Sequence, residues 1–115
     1  MDCKNKLYFI VNSDIEISAG KLAGQISHAT TTFVLNNYNT DEFNTWYNNG
    51  LTQTKIILKG NQRLLEELGQ DGYACIRDNG LTELPPNTLT CCCLGLGDKD
   101  YFEGKIKGFK RLRLY

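Results

Sequence analysis

The chain lacks any long hydrophobic run. Its 115 residues include no stretch that approaches the run of about 20 apolar residues with which a helix spans a bilayer. The amino-terminal segment starts with charged residues, but its apolar run is very short and no small-residue cleavage site follows. We therefore interpret this segment as a β-strand rather than a signal peptide, and we expect a cytoplasmic protein with no membrane contact.

Histidine is also scarce, because His28 is the only one in the chain. The sequence contains no His–Glu pattern of the kind found in metal sites, so it predicts no metal site. A catalytic pair of histidine with cysteine or serine would have to involve His28, whose neighbour Ser27 points to another side of a helix.

The cysteines do not form a recognisable framework. An odd count with three consecutive members is a poor basis for disulfide pairing. Consecutive residues of a strand point to opposite faces of a sheet, so the triplet is also poorly spaced for zinc. We predict that the cysteines act as small buried hydrophobic residues in a reducing compartment. The five are Cys3, Cys75, Cys91, Cys92 and Cys93.

Charge is balanced in number, at 13 basic and 13 acidic residues, but not in position. The last eleven residues contain no acid and a terminal basic cluster made of Lys105, Lys107, Lys110, Arg111 and Arg113. The rest of the chain holds 8 basic and 13 acidic residues, a net charge of −5, which indicates no broad cationic surface for nucleic acid. The terminal basic cluster is therefore either a phosphate-binding segment or a solvated end.

Hydrophobic periodicity and turn residues predict eight elements in the order β-α-α-β-α-β-β-α. The predicted strands span 6–12, 53–59, 73–77 and 88–96. The predicted helices begin near 18, 40, 61 and 98 and end near 37, the Asn-Asn-Gly sequence at 48–50, 68 and 107. Residues 109–115 either pack along the sheet or add a short strand.

This order indicates an α/β fold, a three-layer sandwich with a four-stranded mixed sheet and helices on both faces. The short link between the third and fourth strands permits antiparallel pairing, and helical crossovers favour parallel pairing elsewhere. Since no repeat or linker interrupts the chain, we expect residues 1–115 to form a single domain.

The first helix carries two stripes of different character. Lys21, Gln25 and His28 follow an i, i+4, i+7 spacing and form a polar stripe. The apolar stripe beside it consists of Leu22, Ile26, Ala29 and Phe33. If the apolar stripe is buried, the polar stripe lies at the margin of the fold, where it either converges on a ligand or forms a solvated face.

A second polar segment follows the third strand and begins with Asp78, Asn79 and Gly80. If the first and third strands are parallel, Asp78 reaches the same edge of the sheet as Lys21, and ligands tend to bind at that edge. A carboxylate paired with a lysine and flanked by threonine hydroxyls can orient water for attack on an ester. The alternative is that Asp78 only forms an Asx turn.

Two segments together resemble the signatures of the type 2 peptidyl-tRNA hydrolases. The first combines VNSD at 11–14 with GKLAGQISHA at 20–29. The second combines IRDNGLTELPPNTLT at 76–90 with LGLG at 94–97. The resemblance covers nearly the whole chain. It implies an α/β sandwich on a four-stranded mixed sheet, often dimeric, that cleaves the ester between a peptide and tRNA without metal or cofactor.

The resemblance also suggests site residues. The catalytic candidates are Lys21, Gln25, Asp78 and Thr88. The substrate-binding candidates are His28 and Thr90, which the resemblance places nearby, and we add Asn12, Thr82 and, from the terminal basic cluster, Lys110 and Arg111. In the scheme that these residue types support, Asp78 orients water, Lys21 and Gln25 stabilise the developing oxyanion, and Thr88 holds the nearby geometry.

The chain departs from the family pattern at several charged positions. The family usually has arginine where Asn12, Leu81 and Leu89 stand, and their loss removes contacts to phosphate. Glu83 and Asp98 add negative charge where an amide and a proline are common. The alternative function is therefore a non-catalytic or diverged binding module on the same fold, with weakened affinity for tRNA. If tRNA is bound, its positioning falls on the terminal basic cluster.

Overall fold

The computed structural model describes residues 4–49 and 52–115, so the expectations for Cys3 and Gly50 lie outside the described residues. The strands are β1 (Lys6–Asn12), β2 (Lys55–Gly60), β3 (Ala74–Arg77), β4 (Leu89–Gly97) and β5 (Arg113–Leu114). The helices are α1 (Ala19–Asn37), α2 (Asp41–Asn48), α3 (Gln62–Gln70) and α4 (Lys99–Lys105), followed by a 3-10 helix (Phe109–Arg111).

The sheet is mixed and has the order β3-β4-β1-β2-β5. β1 and β2 are parallel, while β4 lies between β1 and β3 and is antiparallel to both. β1 and β3 therefore run in the same direction. This is the condition under which we expected Asp78 to reach the same edge of the sheet as Lys21. Their carboxyl ends meet at one edge of the sheet, and this edge positions the site.

The prediction of four strands is wrong, because the sheet of the described residues has five. The added strand, β5, pairs antiparallel with the outer side of β2, and the Tyr115 N–H donates to the Ile57 carbonyl at 2.9 Å. The open edge of β2 offers unpaired backbone groups that the terminal segment can satisfy. A strand of two residues is too short to produce a readable alternation of apolar and polar side chains.

Successive side chains of β1 point to opposite faces of the sheet, so they pack into two separate cores. Phe9 and Val11 pack with Ile26 and Trp46 on what we call the α1 face, which α1 and α2 cover. On the α3 face, covered by α3 and α4, the sheet packs against an aromatic and aliphatic core. Members of this second core include Tyr8, Ile10, Leu65, Leu68, Phe102 and Phe109. None of the helices in the described ranges combines the length and apolarity that crossing a bilayer requires.

Each of the α-helices α1 to α4 starts at a side chain that accepts a backbone hydrogen bond. Ser18 caps α1 by accepting from the Lys21 N–H, and Thr40, Asn61 and Asp98 do the same for α2, α3 and α4. Such caps typically stabilise a helix by about 1 kcal/mol. They confirm the predicted starts of the helices, and the cap at Ser18 sets where Lys21 leaves the first turn of α1.

The expectation that the cysteines only fill space is wrong for one pair. Cys75 and Cys92 form a disulfide between β3 and β4. Spacing along a single strand does not reveal this pair, whereas the register of the antiparallel strands places the two residues directly opposite each other. Cys91 and Cys93 are free and buried, and burial raises the pKa of each thiol to about 11.

Candidate active site

A cavity of about 240 Å³ opens between α1, the carboxyl end of β3 and the loop that follows β3. Its lining residues are Lys21, Gln25, His28, Arg77, Asp78, Asn79 and Leu81. A larger cavity of about 410 Å³ lies beside the second half of α1, and among the described residues its lining includes one charged side chain, Glu42. The smaller cavity therefore holds the paired charges that acid–base chemistry requires.

Asp78 connects the cavity to both elements that form it. Its Oδ1 lies 2.5 Å from the Lys21 Nζ and accepts a longer hydrogen bond, of 3.4 Å, from the Gln25 Nε2. Its Oδ2 accepts the Gly80 N–H at 2.8 Å and so closes an Asx turn. Asp78 therefore forms the Asx turn through one oxygen and also pairs with Lys21 through the other, so the turn is not its only interaction.

The ion pair between Lys21 and Asp78 is mostly shielded from solvent. The exposed fraction of the side chain is 4% for Asp78 and 18% for Lys21. The hydrogen bond from Lys21 holds the pKa of Asp78 below its usual range, helped by the Gly80 N–H and opposed by burial. Asp78 is therefore a carboxylate that stays ionised while it contacts the cavity.

Thr90 orients the amide of Gln25. The Thr90 hydroxyl lies 2.9 Å from the Gln25 Oε1 and 3.0 Å from the Ile76 carbonyl oxygen, and Thr90 is fully buried on β4. Because the amide oxygen faces the hydroxyl, the amide nitrogen faces Asp78. Thr90, Gln25, Asp78 and Lys21 thus form one connected hydrogen-bonded chain across three elements.

The segment 78–88, which we call the site loop, is closed on itself. The Asp78 N–H donates to the Thr88 carbonyl at 2.8 Å, and the Asn87 N–H donates to the Asp78 carbonyl at 2.7 Å. The Thr88 hydroxyl donates to the Pro85 carbonyl at 2.7 Å, so it braces the loop. Gly80 has a φ of 78°, and a Cβ there would lie 2.6 Å from the Pro86 nitrogen, which requires glycine.

The other sequence-predicted residues lie at differing distances from this cavity. His28 is exposed in its lining, and Thr82 is exposed on the site loop next to Leu81. Asn12 is fully buried and does not line the cavity. Its amide nitrogen donates to the Gln62 Oε1 and the Leu89 carbonyl, and its oxygen accepts the Asp14 N–H. Lys110 and Arg111 are exposed in the 3-10 helix, whose Phe109 is buried in the core of the α3 face.

The cavity also contains residues that were not among the sequence candidates. Arg77, Asn79 and Leu81 line it, and Leu81 is 85% exposed. Their position beside Asp78 at the end of a strand was the available indication, because residues that flank a strand end share its edge. A further contact, between Glu83 and Ser18, had no local indication, since 65 residues separate the two.

Comparisons with known proteins agree with this architecture. The model of the family described as peptidyl-tRNA hydrolase PTH2 matches residues 5–112. A protein named peptidyl-tRNA hydrolase from Thermococcus sibiricus is 37% identical, over 95% of this chain and 98% of its own length. Another of that name, from Staphylothermus marinus, is 41% identical over 89% of this chain and 93% of its own. The chain therefore belongs to the peptidyl-tRNA hydrolase PTH2 family.

Proposed function

We propose that this protein hydrolyses the ester bond that joins a peptide to tRNA. The observation that carries the proposal is the ion pair of Lys21 and Asp78, which Gln25 joins at the mouth of an open cavity. Family membership supports the same substrate, because the relatives that match over most of their length are named peptidyl-tRNA hydrolases.

The reaction adds water to the ester carbonyl carbon and produces a tetrahedral oxyanion. Its collapse breaks the bond between that carbon and the tRNA oxygen, which receives the proton that the water has lost. The products are a tRNA hydroxyl and a peptide carboxylic acid, which releases its remaining proton to solvent and becomes a carboxylate. The enzyme therefore needs an acceptor that orients water and donors that face the developing negative charge.

The proposed roles follow from the hydrogen-bonding capacity of each group. Asp78 stays ionised, so it can accept a hydrogen bond from the attacking water. The Lys21 ammonium has three protons and directs one to Asp78, which leaves two for the oxyanion. The Gln25 Nε2 has a second proton for the same purpose. Thr88 braces the site loop that presents Asp78.

For substrate binding, we propose that His28 and Thr82 contact the substrate directly, since both are exposed beside the cavity. Thr90 and Asn12 use their polar atoms within the fold, so their contribution would pass through Gln25 and the sheet edge. Lys110 and Arg111 are proposed to hold the tRNA backbone at a distance from the ester.

The experiment that tests the proposal is hydrolysis of a model peptidyl-tRNA by the purified protein. Lys21→Ala and Asp78→Ala should each reduce kcat by about 10²-fold or more, because each removes a group that acts on the reacting atoms. Lys99→Ala is the matched control, since Lys99 pairs with Glu103 on α4 and does not line the cavity. Wild-type turnover no faster than that of the two site variants would contradict the proposal.

We further propose that the protein is a single-domain cytoplasmic homodimer that acts in translation. All four helices pack on one sheet, which supports a single domain. Leu35 and Tyr38 expose large apolar surfaces at the end of α1, where a second copy could bind. Light scattering of the purified protein distinguishes a dimer from a monomer.

A further inference from the structure

Glu83 of the site loop binds Ser18, the residue that caps the start of α1. Its Oε2 accepts the Ser18 N–H at 2.8 Å, and its Oε1 accepts the Ser18 hydroxyl at 2.6 Å. Both oxygens of one carboxylate are thus bound to the two donors of one residue. These two hydrogen bonds hold the pKa of Glu83 below its usual range.

The chemistry of this contact matches a carboxylate. Ser18 presents two donors, and an ionised carboxylate presents two acceptor oxygens, so every group is satisfied. An amide at position 83 would keep one of these hydrogen bonds and reverse the other, because its NH₂ group would donate to the Ser18 hydroxyl oxygen. Because the Ser18 hydroxyl donates to Glu83, its oxygen is free to accept the Lys21 N–H at 3.2 Å. Glu83 thereby sets the direction of the hydroxyl that caps the helix.

The contact also closes a ring of interactions around the cavity. Glu83 binds Ser18, Ser18 accepts the Lys21 N–H, and the Lys21 ammonium pairs with Asp78. Asp78 and Glu83 belong to the same site loop, so the ring returns to its starting element. The carboxylate that contacts Ser18 therefore joins the loop that carries Asp78 to the helix that carries Lys21.

We propose that Glu83 is a positioning residue for the hydrolysis, because it docks the site loop on the start of α1 and so holds Lys21 against Asp78. The inference rests on the proposed function for its catalytic readout, and it assigns to Glu83 a role beyond its negative charge. From the sequence alone, that charge was expected only to weaken the affinity for tRNA.

The site loop does not need Glu83 in order to fold. Leu84 is buried, Gly80 packs against Pro86, and the Asn87 N–H closes the loop on Asp78. Glu83 is itself exposed. Its replacement should therefore release the loop from α1 without unfolding it, which separates positioning from stability.

The first test measures kcat and KM on the model peptidyl-tRNA. Glu83→Ala and Ser18→Ala should each lower kcat by about 10- to 100-fold, since small displacements of catalytic groups cost that much, while KM changes little. Ser18→Thr keeps both donors and should retain wild-type kcat. Glu67→Ala is the control, because it removes the same carboxylate from α3, where it pairs with Arg63.

The second test does not depend on turnover. Carbon NMR of the Asp78 carboxyl across pH gives its pKa in the wild type and in Glu83→Ala. Charged residues near Asp78 include Lys21, Arg77 and Glu83. Loss of a neighbouring negative charge alone lowers the pKa of Asp78, whereas loosening of the ion pair with Lys21 raises it. We expect it to rise.

The two tests separate failure of the inference from failure of the proposed function. A wild type without turnover contradicts the proposed function, and the NMR measurement still decides the role of Glu83. A lower pKa of Asp78 in Glu83→Ala would overturn the inference. Unchanged kcat in both Glu83→Ala and Ser18→Ala, measured in an active enzyme, would overturn it as well.

Discussion

The two faces of the sheet use the same strands for different purposes. On the α1 face, α1 and the end of β3 leave a gap that holds Lys21 and Asp78. On the α3 face, Tyr8 lies 4.9 Å from Phe102 and 5.7 Å from Phe109 between ring centroids, and these aromatic rings fill the core. Both faces have a buried core, but the ion pair of the candidate site lies on the α1 face, where a helix start meets a strand end.

Phe102→Ala tests the α3 face and should have the largest effect. Phe102 is 1% exposed and contacts both Tyr8 and Phe109, so its truncation should lower the free energy of unfolding by about 3–5 kcal/mol. Denaturant unfolding measures this change. At a temperature where the variant is still folded, kcat should stay near that of the wild type. A loss of kcat in the folded variant would show that the two faces are not separate.

Asp78→Asn tests the α1 face with a nearly isosteric change. We expect kcat to fall by about 10²- to 10³-fold, because the amide cannot replace the charge that pairs with Lys21. Turnover of a model peptidyl-tRNA measures the loss. Asp71→Asn, at the exposed end of α3, is the matched control. Equal losses in the two variants would remove Asp78 from the mechanism.

Reduction of the disulfide between Cys75 and Cys92 tests whether the sheet depends on a crosslink. The two cysteines are 17 residues apart, and closure of a loop of about that length stabilises a fold by about 3 kcal/mol. A reductant should therefore lower the melting temperature of the wild type. It should not affect Cys75→Ala, and a wild type that melts equally with and without reductant would exclude a stabilising bond.

Acid should weaken the fold through Asp78. Its pKa is lowered in the folded state by the hydrogen bond from Lys21, so its stabilising contribution is complete above the unfolded pKa of about 3.9. That contribution is lost as pH falls through the lower folded pKa. Thermal melts of the wild type and Asp78→Asn should therefore converge below about pH 4. A stability difference that stays constant across this range would contradict the assigned ion pair.

Charge reversal in the terminal basic cluster should have the smallest effect on the catalytic step. The combined variant contains Lys110→Glu, Arg111→Glu and Arg113→Glu. It should bind tRNA more weakly, and its affinity should depend less on salt. On a plot of log affinity against log salt concentration, the slope should become shallower by about 0.9 for each phosphate that the protein no longer neutralises. Titrations at several salt concentrations measure both quantities. Phe109 is buried, so truncation of the segment would disturb the core and is the poorer test. Unchanged affinity and slope would show that the cluster is a solvated end.

Local rules accounted for much of the fold and for the centre of the site. Cap residues located the helix starts, and the spacing along α1 separated Ile26 and Ala29, which are buried, from Lys21 and Gln25. Parallel directions of β1 and β3 then brought Asp78 to Lys21. These inferences succeed because each depends on a repeat of a few residues or on a simple rule of topology.

Other features depend on partners that are distant in sequence. The bond between Cys75 and Cys92 follows from strand register, and the buried amide of Asn12 depends on Gln62, which is 50 residues away. Likewise, nothing near Glu83 identifies Ser18 as its partner. Patterns within one segment contain no information about such pairs, so these contacts appear only when the strands are aligned.

The central place of β4 has a consequence for when the candidate site can assemble during synthesis. Gln25 contacts Asp78 across 53 residues and Thr90 across 65. β4 carries Thr90 and lies between β1 and β3, so it sets the distance between the strand that precedes α1 and the strand that precedes the site loop. A nascent chain that has emerged only as far as Asp78 contains the lysine and the carboxylate but lacks this strand, so the hydrogen-bonded chain of Thr90, Gln25 and Asp78 is incomplete in it.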